Sequence, residues 1–177
     1  MMRLVTALSV TMFLTPAPQD PTPPKPEKEH EWLQQLAGDW ETEAEVSMEP
    51  GKDPVKSKGT AGARMVGAYW IMIEHKGEIV GHAFTGILTA GYDAEKKKYV
   101  GTWLSSMEPR LWHYVGAVDG ATLALHAEGP NPSLGGKLTK FRDAIEVKGK
   151  DELVMTSAME QDGKWAQFLV VRYTRKK

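Results

Sequence analysis

From residue 40 the chain alternates. Trp40, Thr42, Ala44, Val46 and Met48 interleave with Glu41, Glu43, Glu45 and Ser47, the period-two pattern of a strand with one face in a core and the other in water. The pattern recurs, less cleanly, to the end of the chain. It predicts further strands near residues 56–66, 68–76, 79–89, 97–105, 109–118, 121–128, 138–148, 152–160 and 164–174, ten in all;. Asp119-Gly120 and Asp162-Gly163 read as two-residue hairpin turns;. Lys76-Gly77-Glu78 separates two apolar runs, and Gly91 to Lys96 reads as a longer connection. With hairpins throughout and no crossover helix, the expected topology is an up-and-down meander. Such a meander leaves two exposed edges unless it closes, and closure removes them. The predicted fold is all-β: a roughly ten-stranded antiparallel barrel.

One short helix precedes the strands. Pro26 can start it, and Glu27, Glu29 and Glu31 place negative charge at its positive N-terminal end;. Trp32, Leu33, Leu36 and Ala37 form one apolar stripe, and Gly38 stops the helix;. A lone helix with one apolar side must pack on something, and the end of a barrel suits it.

Ahead of the helix the pattern changes twice. Arg3 followed by the uncharged apolar run Leu4 to Leu14 reads as a secretory signal peptide over residues 1–15; the run is too short to span a bilayer as a helix. A retained N-terminal anchor is the alternative. Residues 16–27 then carry Pro16, Pro18, Pro21, Pro23, Pro24 and Pro26, a stiff tether without secondary structure. The domain proper is 28–177, and no later segment is apolar enough to cross a membrane. The expected location is therefore periplasmic or extracellular.

Composition narrows the chemistry. The chain has no cysteine, which rules out disulfides, thiolate metal sites and a catalytic thiol;. Its net charge of −1 offers no basic excess for nucleic acid;. His30-Glu31-Trp32-Leu33-Gln34 has Gln34 where a zinc-protease helix needs its second histidine;. Nucleophile elbow, phosphate loop and dinucleotide fingerprint are absent;. No recognised catalytic motif is present, and a non-enzymatic role is expected.

Several motifs together resemble a known family. Leu36-Ala37-Gly38-Asp39-Trp40 resembles the Gly-x-Trp start of calycin barrels. With Gly81 and Gly86 around Phe84, Gly91-Tyr92-Asp93, and Tyr99-Val100-Gly101-Thr102-Trp103, the ordered set resembles the bacterial family of domain of unknown function 1579 over most of residues 30–175. The resemblance implies a lipocalin-like barrel and carries no established activity, so it assigns no catalytic residue. In lipocalin-like barrels the tryptophan of this motif closes one end, often under an arginine of the last strand. Trp40 would be that tryptophan. A two-residue turn at Asp162-Gly163 pairs Phe168 with Ser157 and Arg172 with Leu153, which turns Arg172 inward and makes it the expected partner of Trp40.

Candidate ligand-binding residues are the strand aromatics Trp70, Trp103, Trp112 and Tyr114, with Arg110 or Arg142 to anchor an anionic head;. Met65, Met72, Met107, Met155 and Met159 would make such a pocket adaptable;. A turn at Asp119-Gly120 sets His113 opposite His126, within reach of a shared metal. The rest of their face (Leu111, Val115, Ala117, Thr122, Ala124, Glu128) is less core-like than Trp112, Tyr114, Leu123, Leu125 and Ala127, which favours the outer wall for the pair. His75 and His82 flank another hairpin and fall on one side. No third ligand stands at a diagnostic spacing, so the expectation is no cofactor, with haem or metal as the minor alternative. Glu74 or Asp143 with a histidine is the acid–base pair an enzyme would use. The sequence therefore leaves three readings: a carrier of a small, mostly apolar molecule, an enzyme with an interior acid–base pair, and a filled barrel acting through its surface.

Overall fold

The computed structural model describes residues 23–48, 52–79, 81–131 and 134–177. The expected leader and residues 16–22 of the expected tether lie outside the described residues. After α1 (Lys28–Leu33) and a single 3-10 turn (Gln34–Leu36), ten strands follow: β1 (Gly38–Val46), β2 (Val55–Val66), β3 (Trp70–Ile79), β4 (His82–Asp93), β5 (Lys98–Ser105), β6 (Glu108–Asp119), β7 (Thr122–Asn131), β8 (Lys137–Gly149), β9 (Glu152–Gln161) and β10 (Lys164–Arg175). Each pairs antiparallel with the next, and β1 pairs with β10, so the sheet closes into a barrel with no free edge;. No helix among the described residues is long and apolar enough to cross a membrane.

The alternation seen in sequence is the inside–outside alternation of this barrel. On β6 and β7, Tyr114, Leu123, Leu125 and Ala127 are buried, while Leu111, His113, Val115, Ala117, His126 and Glu128 are exposed. The Asp162-Gly163 turn forms as expected, with Gln161 paired to Lys164 and positive φ at both turn residues;. Two other turns move. Asp119 pairs with Thr122, so the chain reverses one residue later than the sequence implies. The expected turn at Lys76-Gly77-Glu78 does not form, and β3 runs on to pair Ile79 with His82. Gly77 sits within the strand, where a Cβ would lie 3.2 Å from the Lys58 carbonyl oxygen. It serves a close approach of β2 and β3 rather than a reversal.

The helix plugs one end of the barrel. Leu33 and Leu36 are fully buried there beside Trp40. The Trp40 indole donates to the Leu36 carbonyl at 3.1 Å, and the Tyr99 hydroxyl donates to the Glu29 carbonyl at 2.8 Å. Inside the helix end, His30 Nδ1 accepts the Glu27 amide at 3.0 Å, which leaves Nε2 to donate to the Tyr92 carbonyl at 3.2 Å;.

The arginine over Trp40 is Arg175, not Arg172. Its guanidinium lies 4.1 Å from the ring centre and donates to the Ala37 carbonyl at 2.8 Å. Gly38 makes room, because a Cβ there would meet the guanidinium at 2.0 Å. The expectation for Arg172 fails on one residue. Ala166 pairs with Met159 as predicted, but a β-bulge between Gln167 and Leu169 sets Leu169, instead of Phe168, opposite Ser157. Every later side chain changes face. Arg172 is therefore exposed on the outer wall, and Val171 and Tyr173 point inward.

Candidate functional site

Strand ends remote from the helix surround a cavity of about 590 Å³. Its upper wall is aromatic. Trp103 lies beside Phe84, with ring centres 6.1 Å apart, and Trp112 meets Phe141 edge-on at 5.1 Å. Two glycines seat the tryptophans: a Cβ on Gly86 would be 2.2 Å from the Trp103 ring, and one on Gly129 would be 2.4 Å from Trp112. The indole of Trp112 donates to Glu108 at 2.7 Å at the rim. The two rings therefore lie flat against the wall over a glycine each.

Two clusters of polar side chains lie below the rings. The Tyr114 hydroxyl donates to Asp143 Oδ2, and Ser157, the cross-strand partner of Asp143, also donates to the carboxyl. Burial raises the Asp143 carboxyl above its ordinary 3.8, against the pull of these two hydroxyls;. Nearby, His75 Nε2 lies 2.9 Å from the Tyr173 hydroxyl, which itself donates to Met155 Sδ at 3.4 Å. Burial lowers the His75 pKa from 6.5 to about 4, only partly countered by the Gly86 backbone, so the ring is neutral at pH 7. Tyr173 is pushed up by burial and by the Asp143 charge.

The sequence candidates divide sharply. Trp103, Trp112 and Tyr114 line the cavity, as do Met107, Met155 and Met159. Trp70 faces outward and covers Gly91. Met72 lies on the outer face, and Met65 packs against the core outside the cavity. Arg110 is exposed at the rim, 5.6 Å from the Trp112 ring. Arg142 and His126 are register partners on the outer wall, both beside Trp165, at 5.0 and 5.8 Å. Arg110 thus stands at the mouth against a cavity tryptophan, and Arg142 on the outer wall. His113 does not face His126, whose partner is Val115, because the turn shifts the register by two residues. His82 is exposed, and His75 pairs with Gly86, so these two histidines do not meet. Glu74 points outward and pairs with Lys76 at 3.0 Å. Among the described residues no three metal-binding side chains converge.

Ser157, Tyr173, Phe84 and Phe141 were not readable as site residues. Asp143 was readable together with Glu74 as the acid of a pair with a histidine, and of the two it is Asp143 that lines the cavity. Its raised pKa has a stability consequence. A carboxyl whose folded pKa lies above the unfolded value stabilises the fold below about pH 3.8, and that contribution is lost as pH rises through the folded value;. Asp143→Asn is therefore expected to raise the melting temperature of the ligand-free protein at pH 7. The gain should vanish below about pH 3.8. A melting temperature lowered at pH 7 but not at pH 3.5 would contradict the assignment.

The architecture has solved counterparts. It is similar to Rv2717c from M. tuberculosis, at 14% identity and a TM-score of 0.59, over 85% of this chain and 99% of that one. It is also similar to the S-type phycobiliprotein lyase CPES from Guillardia theta, at 16% identity and a TM-score of 0.55, over 87% and 99%. At such identities the likeness is one of fold. No curated protein matches the chain. Residues 25–175, the helix and all ten strands, match the family described as Protein of unknown function (DUF1579), and the chain belongs to that family.

Proposed function

We propose that this protein is an exported carrier or sensor that holds a small, mostly apolar molecule inside its barrel. The observation that supports this reading is the cavity itself. About 590 Å³ falls within the range of small-molecule sites, which runs from roughly 300 to 1,000 Å³;. A few polar groups sit beneath an aromatic wall, the usual composition of such sites. A barrel acting through its surface alone has no need of an open interior, or of glycines kept beneath two tryptophans. The Arg3 to Leu14 leader pattern supports export;.

Native mass spectrometry of protein purified from its own envelope without detergent tests the reading. The expected result is a mass excess that is lost on denaturation. A bare mass, together with no quenching of tryptophan fluorescence by any apolar probe, would overturn it. Gly129→Val should push the Trp112 ring into the cavity and weaken probe binding about tenfold, the equivalent of one moderate overpacking penalty. The far-UV circular dichroism should stay unchanged. Unaltered probe affinity in the folded variant would place binding elsewhere.

A further inference from the structure

We propose that the ligand is a lipophilic organic cation, an apolar molecule ending in an ammonium group, with its charged nitrogen between the cavity rings and Asp143. The inference rests on the binding reading above and names its ligand class.

Deep in the cavity Asp143 is the one carboxyl among the described residues, and the histidine near it, His75, is neutral, while Glu78, Glu108, Lys58 and Lys76 belong to the mouth. Asp143 is the formally charged side chain of the lower cavity, and no lysine or arginine pairs with it among the described residues. The groups facing it are uncharged: Tyr114 from β6, Leu125 from β7, Ser157 from β9 and Tyr173 from β10, with the neutral His75 bonded to Tyr173. A buried carboxylate without a countercharge is costly, and a cation of the right size removes the cost. Two hydroxyls donate to Asp143. A carboxylate offers about four lone-pair sites, so about two remain for a ligand. The carboxyl's raised pKa is the response of such a group when the cation is absent.

The route to Asp143 passes through a second cation-selective feature. Phe141 and Trp112 stand one inward position closer to the mouth than Asp143 and Tyr114, and Trp103 and Phe84 face the same space. Aromatic faces attract organic cations, and desolvation strengthens the attraction. Arg110 and Arg142, the side chains that would reverse this preference, lie at the rim and on the outer wall. At the mouth, Lys58 and Lys76 are engaged by Glu43 at 2.9 Å and Glu74 at 3.0 Å.

Three probes with one tail decide the matter: decyltrimethylammonium, decanol and decanoate, each titrated into the full chain at pH 7 below its micelle concentration and followed by tryptophan fluorescence. The expected order places the cation at least about tenfold tighter than the alcohol, with decanoate weakest. Asp143→Asn should erase the cation's advantage over decanol. Equal affinities for the three probes would leave the cavity as a binding site and overturn the cation assignment. Tightest binding of decanoate would overturn it as well, as would an undiminished cation advantage in folded Asp143→Asn. Binding of none would overturn both readings. If Asp143→Asn does not fold, the wild-type order alone decides.

Discussion

Trp40→Ala is expected to destabilise the barrel by about 3–5 kcal/mol, the cost of removing a fully buried aromatic side chain from a packed site. Trp40 is 1% exposed. It ties three parts of the fold together: its indole nitrogen holds the Leu36 carbonyl at the end of the helix, its face carries Arg175 from β10, and its edge meets Tyr173 at 6.4 Å. Its loss leaves a void where helix, first strand and last strand join, along with the Leu36 carbonyl and an arginine that have lost their partner. Arg175→Ala should cost less, because the guanidinium is partly solvated and its contact with the ring is worth about 0.5–2 kcal/mol;. The two effects should not add, since each removes the same contact. Arg172→Ala should leave stability nearly unchanged. Urea denaturation of the four proteins and the Trp40/Arg175 double variant measures all of this. A larger loss at Arg172 than at Arg175 would refute the register of β10. Function is joined to stability at this point, because the plug makes the cavity a pocket with one mouth rather than a channel.

His75 is expected to make the barrel acid-sensitive, with about 3 kcal/mol of stability lost between pH 6.5 and about 4;. In the unfolded chain the imidazole takes up its proton near its ordinary 6.5. In the fold it resists until about 4, since burial among Trp103, Tyr173 and the β4 backbone gives the charged ring no water. The unfolded state therefore binds more protons throughout this window, and stability falls as pH falls. Asp143 works in the opposite direction, because its raised pKa makes the folded state take up a proton first. The histidine effect is accordingly cleanest in an Asp143→Asn background. There, unfolding free energies at pH 7, 5.5 and 4.5 should decline steeply, and adding His75→Gln should flatten the decline. Equal slopes with and without His75 would mean that the ring is charged or solvated in the fold. In the wild type the two buried groups act in opposite directions on the pH dependence of stability;.

The ten strands, the closing helix and the inward faces of β6 and β7 were determined by the sequence itself, because side-chain alternation and helix-end chemistry act over a few residues. The tryptophan that closes the barrel was legible for the same reason. Pairing was not. Phe168 occupies a bulge that reverses the face of all that follows it, so the arginine over Trp40 is Arg175. A one-residue change in the reversal after Asp119 separates His113 from His126, and the continuation of β3 past Gly77 carries His75 away from His82. Each of these depends on hydrogen bonds between strands, which local composition weights only weakly. The hollow interior is less local still. Whether ten inward faces fill a barrel or leave about 590 Å³ within it depends on the summed volumes of side chains from every strand;. The meeting of Tyr114, Asp143 and Ser157 beneath two tryptophans exists only once β6 to β9 have paired in register.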